Sequence, residues 1–270
     1  MGRLICFIIL ALVYGGSEAQ DSIQRLRLVQ MIPGDYTSFS VDLPGNIYVI
    51  RNGTELKKLN REGDSVAVFS DTRRYGKIHS LDVSNPLRVV VFFRTSSTVL
   101  VLDRLLAVKS VIDLRKCGIA RPRAVSGSYD NQLWVFDEMD NQLKKIDERG
   151  KLLNATADLR TVFPSPPVFE FIIDDNRSVY LYDSTRGWYV FDYYGAFIRS
   201  YPFTGWSDVQ VVNGRMSGRS DSCILSASTG SLVYAKAWCS AALAFAREVQ
   251  VKERLLFILN SERLEVYAAP

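Results

Sequence analysis

The sequence predicts an all-β fold, a six-bladed β-propeller of four-stranded antiparallel blades, and three observations carry that expectation. The first is repetition. The stretch from Asp42 to Phe69 recurs in altered form from Asp130 to Leu159 and again from Asp174 to Phe203. Each copy reads as a polar turn, a β-rich run, a short polar loop, a second run, a Gly-bearing turn and a third run, which is a hairpin meander. The second is spacing. Apolar runs beginning at Asn46, Arg88, Gln132, Ser178, Ser222 and Arg254, read as second strands, lie 42, 44, 46, 44 and 32 residues apart by subtraction. A period of about 40–45 residues suits one four-stranded blade. The runs that follow, from Thr54, Thr98, Gln142, Gly187, Ser231 and Arg263, are third strands in step with them. The third is the unfinished last unit, which has three strands where the chain ends. Ile23 to Ile32 alternates charged and apolar residues with no hairpin partner nearby. This N-terminal strand is expected to close the last blade, which ties the termini together and removes a raw sheet edge.

Taken from the start, residues 1–19 read as a cleaved signal peptide. Arg3 supplies the positive n-region, Leu4 to Tyr14 the apolar core and Ser17-Glu18-Ala19 the small-residue cleavage site. The apolar run is shorter than a bilayer span, no later segment reaches that length, and no Cys follows the run to be acylated. The expectation is an exported protein, periplasmic or extracellular and not a lipoprotein, with residues 20–270 forming a single propeller domain. Within the repeats, Leu43-Pro44-Gly45-Asn46, Ser84-Asn85-Pro86, Tyr129-Asp130-Asn131 and Asp174-Asp175-Asn176-Arg177 are the turns between first and second strands. Their Asn, Asp, Gly and Pro residues supply the dihedrals such turns demand. Arg61-Glu62-Gly63, Glu148-Arg149-Gly150 and Tyr193-Tyr194-Gly195 place Gly last, where a type I turn with a bulge requires a left-handed residue. Ala235 to Val251 is rich in alanine, which favours helix, but the register on either side makes it strand.

Of the cysteines left after cleavage, Cys223 and Cys239 fall on the second and fourth strands of one meander. Those strands are roughly 9–10 Å apart at a ~4.8 Å spacing, too far for a disulfide. Cys117, Cys223 and Cys239 are therefore expected as buried free thiols. A chain that is 47% hydrophobic and 23% charged has a real core rather than bulk disorder. Its net charge of +4 is mixed in sign, and no clustered basic stripe marks it for nucleic acid.

The pattern Asp42-Leu43-Pro44-Gly45-Asn46-Ile47-Tyr48-Val49, followed by a Leu/Lys/Asn strand and Arg61-Glu62-Gly63, resembles NHL-type and related six-bladed propeller repeats. The third and fourth units match it well and the others loosely, and neither a WD dipeptide nor a kelch Gly-Gly pattern is present. The overall cast is similar to an exported propeller of a Bacteroidota-type bacterium. The resemblance implies fold rather than activity. NHL-like amidating lyases use a histidine-rich metal centre, and this chain has only His79. Calcium-dependent lactonase propellers aim carboxylates into the central channel. Asp42, Asp82, Asp174 and Asp208 fall near first strands, yet propeller turns require Asp for backbone reasons alone. A triad would rest on the lone His79 with no GxSxG elbow. No catalytic residue, metal ligand or cofactor is assigned, and the chain is expected not to be an enzyme.

The loops joining successive blades are Asp71 to His79, Arg115 to Arg123, Arg160 to Phe171 and Pro202 to Asp208. Propeller topology puts them on one face around the channel mouth. Arg73, Arg74, Tyr75, His79, Arg115, Arg121, Arg123 and Trp206 are the candidate partner-binding residues there, because arginines and aromatics on one surface are the composition of a binding face. Lys77, Lys116, Arg160 and Phe163 belong to the same loops. The expected function is a protein-interaction or scaffold module, monomeric within a larger cell-envelope or outer-membrane secretion assembly. A carbohydrate- or small-ligand-binding propeller, stacking sugars on Tyr193, Tyr194, Trp188 or Trp206, and a metal-dependent hydrolase or lyase are the alternatives.

Overall fold

The computed structural model describes residues 26–175 and 177–268; the signal-peptide reading of residues 1–19 lies outside them. The described residues form six four-stranded antiparallel sheets around a central channel. Blade one holds Ser38–Val41, Ile47–Arg51, Glu55–Leu59 and Ser65–Ser70. Blade two holds Ser80–Asp82, Val89–Phe93, Thr98–Leu102 and Val108–Asp113. Blade three holds Pro122–Gly127, Leu133–Asp137, Gln142–Ile146 and Leu152–Ala155. Blade four holds Phe171–Asp175, Ser178–Asp183, Gly187–Asp192 and Phe197–Tyr201. Blade five holds Ser207–Val212, Arg215–Ser220, Cys223–Ser228 and Ala235–Cys239. Blade six holds Glu248–Lys252, Leu255–Leu259 and Arg263–Ala268, and takes Arg27–Pro33 as its outer strand. That outer strand pairs from Arg27 opposite Ala268 to Pro33 opposite Arg263, so the N-terminal strand closes the ring as expected.

The core is divided among the six junctions between blades. Tyr48, Leu56 and Phe69 of blade one pack with Val89, Val91 and Phe93 of blade two, and equivalent clusters fill the other five junctions. Middle strands are covered on both sides, so Val89–Phe93 and Thr98–Leu102 are unbroken buried runs rather than alternating ones. The third-to-fourth turns take the expected form. Gly63, Gly150 and Gly195 have φ of 91°, 82° and 81°, and the register slips by one residue beside each turn. An Asx side chain opens each turn and accepts the backbone N–H that follows the glycine: Asn60 from Asp64 at 2.7 Å, Asp147 from Lys151 at 2.9 Å and Asp192 from Ala196 at 2.8 Å.

Adjacent strands run in opposite directions. The loops from one blade to the next and the turns between second and third strands therefore share one face, the near face. First-to-second and third-to-fourth turns share the far face.

Blade five departs from the sequence expectation. The run at Ser222 is its third strand, and Arg215–Ser220 is the second. Second strands then begin at Ser178, Arg215 and Leu255, 37 and 40 residues apart by subtraction, and the apparent compression disappears. Ala235 to Val251 is only partly strand, because Ala241–Ala244 forms one helical turn capped by the Ser240 side chain. The corrected register also overturns the free-thiol expectation. Cys223 and Cys239 sit directly opposite one another on neighbouring strands, with Cα atoms 4.1 Å apart, and form a disulfide. Cys117 remains a free, half-buried thiol.

The bridge spans 16 residues of sequence, and a loop of about that length restricts the unfolded chain by ~3 kcal/mol. Cys223→Ser with Cys239→Ser should lower unfolding free energy by that order. Denaturant titration with and without reductant checks it, and the double variant should be insensitive to reductant.

Candidate functional site: the near face and the channel mouth

The central channel encloses about 570 Å³ and is walled by the first strands of the six blades. Its acidic side chains do not converge. Asp82 of blade two accepts from Ser126 Oγ at 2.8 Å and Gly127 N at 2.6 Å in blade three. Asp174 of blade four accepts from Ser128, Trp134 and Tyr193 at 2.9, 3.0 and 3.1 Å. Asp208 pairs with Arg219 at 2.6 Å. Asp42 is buried in its own turn, taking Asn46 N at 2.7 Å and Tyr48 Oη at 3.2 Å. Among the described residues, no three His, Cys, Asp or Glu side chains are grouped so as to hold a metal ion.

Glu248 lies in the channel wall and accepts the backbone N–H of Phe39 across the junction between blades six and one, at 3.1 Å. Burial, reinforced by the nearby Asp208 carboxylate, pushes its pKa up to about 7. A raised carboxyl favours the native state when protonated. Its contribution is complete below the ordinary carboxylate range and is lost as pH rises towards 7. Glu248→Gln keeps an acceptor for Phe39 N but cannot titrate. Thermal melts of wild type should therefore fall relative to Glu248→Gln between pH 5 and pH 8, by an amount on the order of 2–3 kcal/mol.

The near-face loops are pinned from beneath. Asp137, at the end of the second strand of blade three, is fully buried and accepts the backbone N–H groups of Ala120, Arg121 and Met139 at 3.2, 3.0 and 3.1 Å. Lys144, itself buried, donates to Asp137 at 2.8 Å and also to Asp140. Burial acts to raise the Asp137 pKa, but the Lys144 and backbone hydrogen bonds outweigh it and hold the carboxyl below the usual range. Asp183 does the same job in blade four, taking Val168 N at 2.7 Å. Asp137→Ala leaves the buried Lys144 ammonium only the half-exposed Asp140 carboxylate and frees the Arg115–Arg123 loop, whose Ala120 and Arg121 N–H groups lose their acceptor. It should cost about 3 kcal/mol in chemical denaturation, since one buried charge loses a partner and buried N–H groups are left unpaired.

The structure distributes the candidate binding residues unevenly. Arg73 lies in the short helix Thr72–Tyr75. Arg74 is exposed, with its guanidinium 5.2 Å from the Tyr75 ring centroid. Tyr75 is buried against Phe93 at 5.3 Å between centroids, so its ring belongs to the junction of blades one and two. His79 stands at the channel mouth with its ring edge-on to Phe92 at 5.6 Å. Partial burial, then the neighbouring Arg94 and Arg123 guanidiniums, lower its pKa. Arg115 and Arg121 are exposed, Arg115 reaching the Thr95 carbonyl at 3.5 Å. Arg123 is half-buried and pairs with Glu138 at 3.1 Å. Trp206 is buried, stacked on Phe203 at 5.4 Å. Trp188 is buried too, whereas Tyr194 is open to solvent on the far face.

Arg94 was not among the residues singled out from the sequence. It sits in the second-to-third turn of blade two, exposed beside His79. Strand alternation alone places such turns on the near face, so the signal was present in the repeat register. The near face of blades two and three thus gathers Arg74, Lys77, Arg94, Arg115 and Arg121, all exposed. No ion pair joins any of them to another described residue.

Fold and site together define a six-bladed propeller with a cation-rich face and a channel whose carboxylates are engaged within the frame. No family profile matches the chain, and no curated protein matches it. Solved structures do. The chain is similar to a catalytically inactive virginiamycin B lyase from Staphylococcus aureus crystallised with quinupristin, at 11% identity and a TM-score of 0.63, over 92% of this chain and 99% of that one. A streptogramin B lyase shares 13% identity and a TM-score of 0.58, over 84% and 77% of the two chains. The WD40 propeller domain of Doa1 shares 11% identity and a TM-score of 0.59, over 83% and 75%. Likeness at this identity shows the fold alone. It also corrects one expectation, that the chain is not an enzyme: structures sharing this architecture include lyases.

Proposed function

We propose that this protein is an exported interaction propeller that docks an acidic protein partner of a bacterial cell envelope through the near face of blades two and three. It would serve as an accessory subunit of an envelope or outer-membrane assembly. One observation carries the reading: Arg74, Lys77, Arg94, Arg115 and Arg121 are exposed together, and none is in an ion pair with another described residue. The loops bearing Arg115 and Arg121 are held by the buried Asp137, so their cations are presented on a fixed backbone. Pre-ordered cations lose less entropy on binding than mobile ones. Their summed field speeds encounter with an acidic surface and disfavours basic ones. The signal-like leader supports export.

The experiment is affinity purification of the tagged mature protein from its native envelope, in parallel with Arg94→Glu/Arg115→Glu/Arg121→Glu. A co-eluting protein in stoichiometric amount should be retained at low salt, weakened by salt, and reduced at least tenfold by the triple reversal. Retention that is indifferent to both salt and charge reversal would overturn the near-face reading.

A further inference from the structure

The far face carries an apolar surface that the turns themselves do not require. Among the described residues, the eight most exposed large apolar or aromatic side chains run from Leu105 at 57% to Phe245 at 88%, and all but Phe245 stand on far-face turns. Leu43, Leu87 and Tyr129 occupy first-to-second turns of blades one to three. Leu105 and Tyr194 occupy third-to-fourth turns of blades two and four, and Leu232 and Val233 that of blade five. Polar neighbours, not these side chains, hold the turns. Asn85 accepts Leu87 N at 3.0 Å, Asp103 accepts Leu105 N at 2.8 Å and Asp192 accepts Tyr194 N at 2.8 Å. Each apolar tip is thus raised on a fixed turn and left in water, and apolar exposure gathered on one face marks an interaction surface.

Their distribution selects the occupant. The tips come from blades one to five and surround the channel, whose wall at this end is polar and includes Ser84 and Lys252. A protein interface concentrates its anchors in a dry centre. Here the centre is an open polar mouth, and the apolar residues form its rim. Separated tips at one end of a ring suit a surface that is flat, fluid and uniform, which is the surface of a lipid bilayer. The arginines agree with this. Arg104, Arg215 and Arg254 are exposed on far-face turns of blades two, five and six, and none forms an ion pair with another described residue. A guanidinium donates twice to a phosphate group and reaches it past an apolar stem. Glu62, Asp64 and Glu253 are exposed on the same face, so its charge is mixed and apolar insertion, not net field, must hold it.

We propose that the far face seats on the surface of a phospholipid bilayer. The leucine, valine and tyrosine tips enter the boundary between headgroups and acyl chains, while the arginines on the same turns pair with lipid phosphates. The near face then points away from the bilayer. The two faces lie at opposite ends of the blades, and this proposal does not depend on the docking reading.

Vesicle flotation of the chain from Gln20 tests it; this chain keeps every described residue and omits the apolar run Leu4 to Tyr14, which would bind lipid by itself. It should float with vesicles of phosphatidylcholine, alone or mixed with phosphatidylglycerol, and remain bound in high salt, which screens charge but not apolar insertion. Leu43→Ser/Leu87→Ser/Leu105→Ser should lower the partition coefficient roughly tenfold or more, since three side chains lose their apolar transfer. Arg94→Glu/Arg115→Glu/Arg121→Glu on the near face should leave partitioning unchanged, so the docking reading and this one fail separately. Tyr194→Trp supplies a readout that needs no loss of binding. Trp134, Trp188 and Trp206 are buried, so the added indole reports the turn, and its emission should shift to the blue when vesicles are added. Absence of flotation on both vesicles, release in high salt, or indifference to the triple serine variant would overturn the proposal. A dimer in solution that the triple serine variant dissociates would also overturn it, because the face would then belong to a second copy of the chain.

Discussion

The ring depends on side chains that stitch one blade's inner edge to the next. First strands surround the channel and splay apart, so their outward backbone groups cannot all be met by a neighbouring strand. Side chains of one blade supply the missing acceptors for the blade after it. Asp82 takes Gly127 N, and Asp175 takes Asn213 N and Gly214 N at 3.1 and 2.7 Å. Gln210 takes Val251 N at 3.3 Å, and Gln250 takes Val41 N at 2.8 Å beside the Glu248 contact. A polar inner ring thus lies inside six apolar junctions. Each bond is individually worth about 0.5–1.5 kcal/mol, but each also prevents a larger loss from an unpaired buried N–H.

This constraint explains why closure falls where it does. Blade six meets blade one through Glu248 and Gln250, much as blades two and three, four and five, and five and six meet through Asp82, Asp175 and Gln210, and the chain itself crosses from Pro33 to Ser38. The seam that must be sealed without a covalent link is therefore inside blade six, between Arg263–Ala268 and Arg27–Pro33. Backbone pairing along a whole strand seals it, which side chains at a junction could not do as strongly. A β-bulge at Val29 lets the outer strand follow the blade's twist.

Most of this frame is legible in the sequence because each blade writes the same turn chemistry. Blade five is the exception, and its reason is physical. Its second strand, Arg215–Ser220, lacks the apolar run that marks the others, and Gly218 occupies its centre. A Cβ on Gly218 would lie 2.9 Å from the Trp206 Cβ. The bulk that a second strand ordinarily contributes is supplied instead by Trp206 from the preceding loop. A pattern search sees an empty strand and an aromatic loop, and slips to the next apolar run at Ser222. The same slip moved Cys223 one strand away from where it pairs. The near face was read from its blade-to-blade loops, which recovered Arg74, Arg115 and Arg121 but missed Arg94. Sequence alone could not separate aromatics that plug junctions, Tyr75 and Trp206, from cations that face water, because both are typical of loops at a binding face.

What the frame leaves unspent is what it can offer a partner. Its buried carboxylates are consumed internally: Asp82 and Asp174 between blades, Asp137 and Asp183 on the loops, Asp208 on Arg219. The turn carboxylates Asp103, Asp147 and Asp192 accept from their own backbones. Propeller geometry therefore draws more heavily on acids than on bases, since backbone N–H groups ask for acceptors, which carboxylates, amides and hydroxyls supply and ammonium and guanidinium groups do not. The modest net charge of +4 understates the result. Much of the negative charge is turned inward against N–H groups, while Arg74, Arg94, Arg115 and Arg121 project outward. A protein built this way presents a more cationic surface than its composition suggests, and on the near face the loop bearing Arg115 and Arg121 stands on a carboxylate, Asp137, that is buried beneath it.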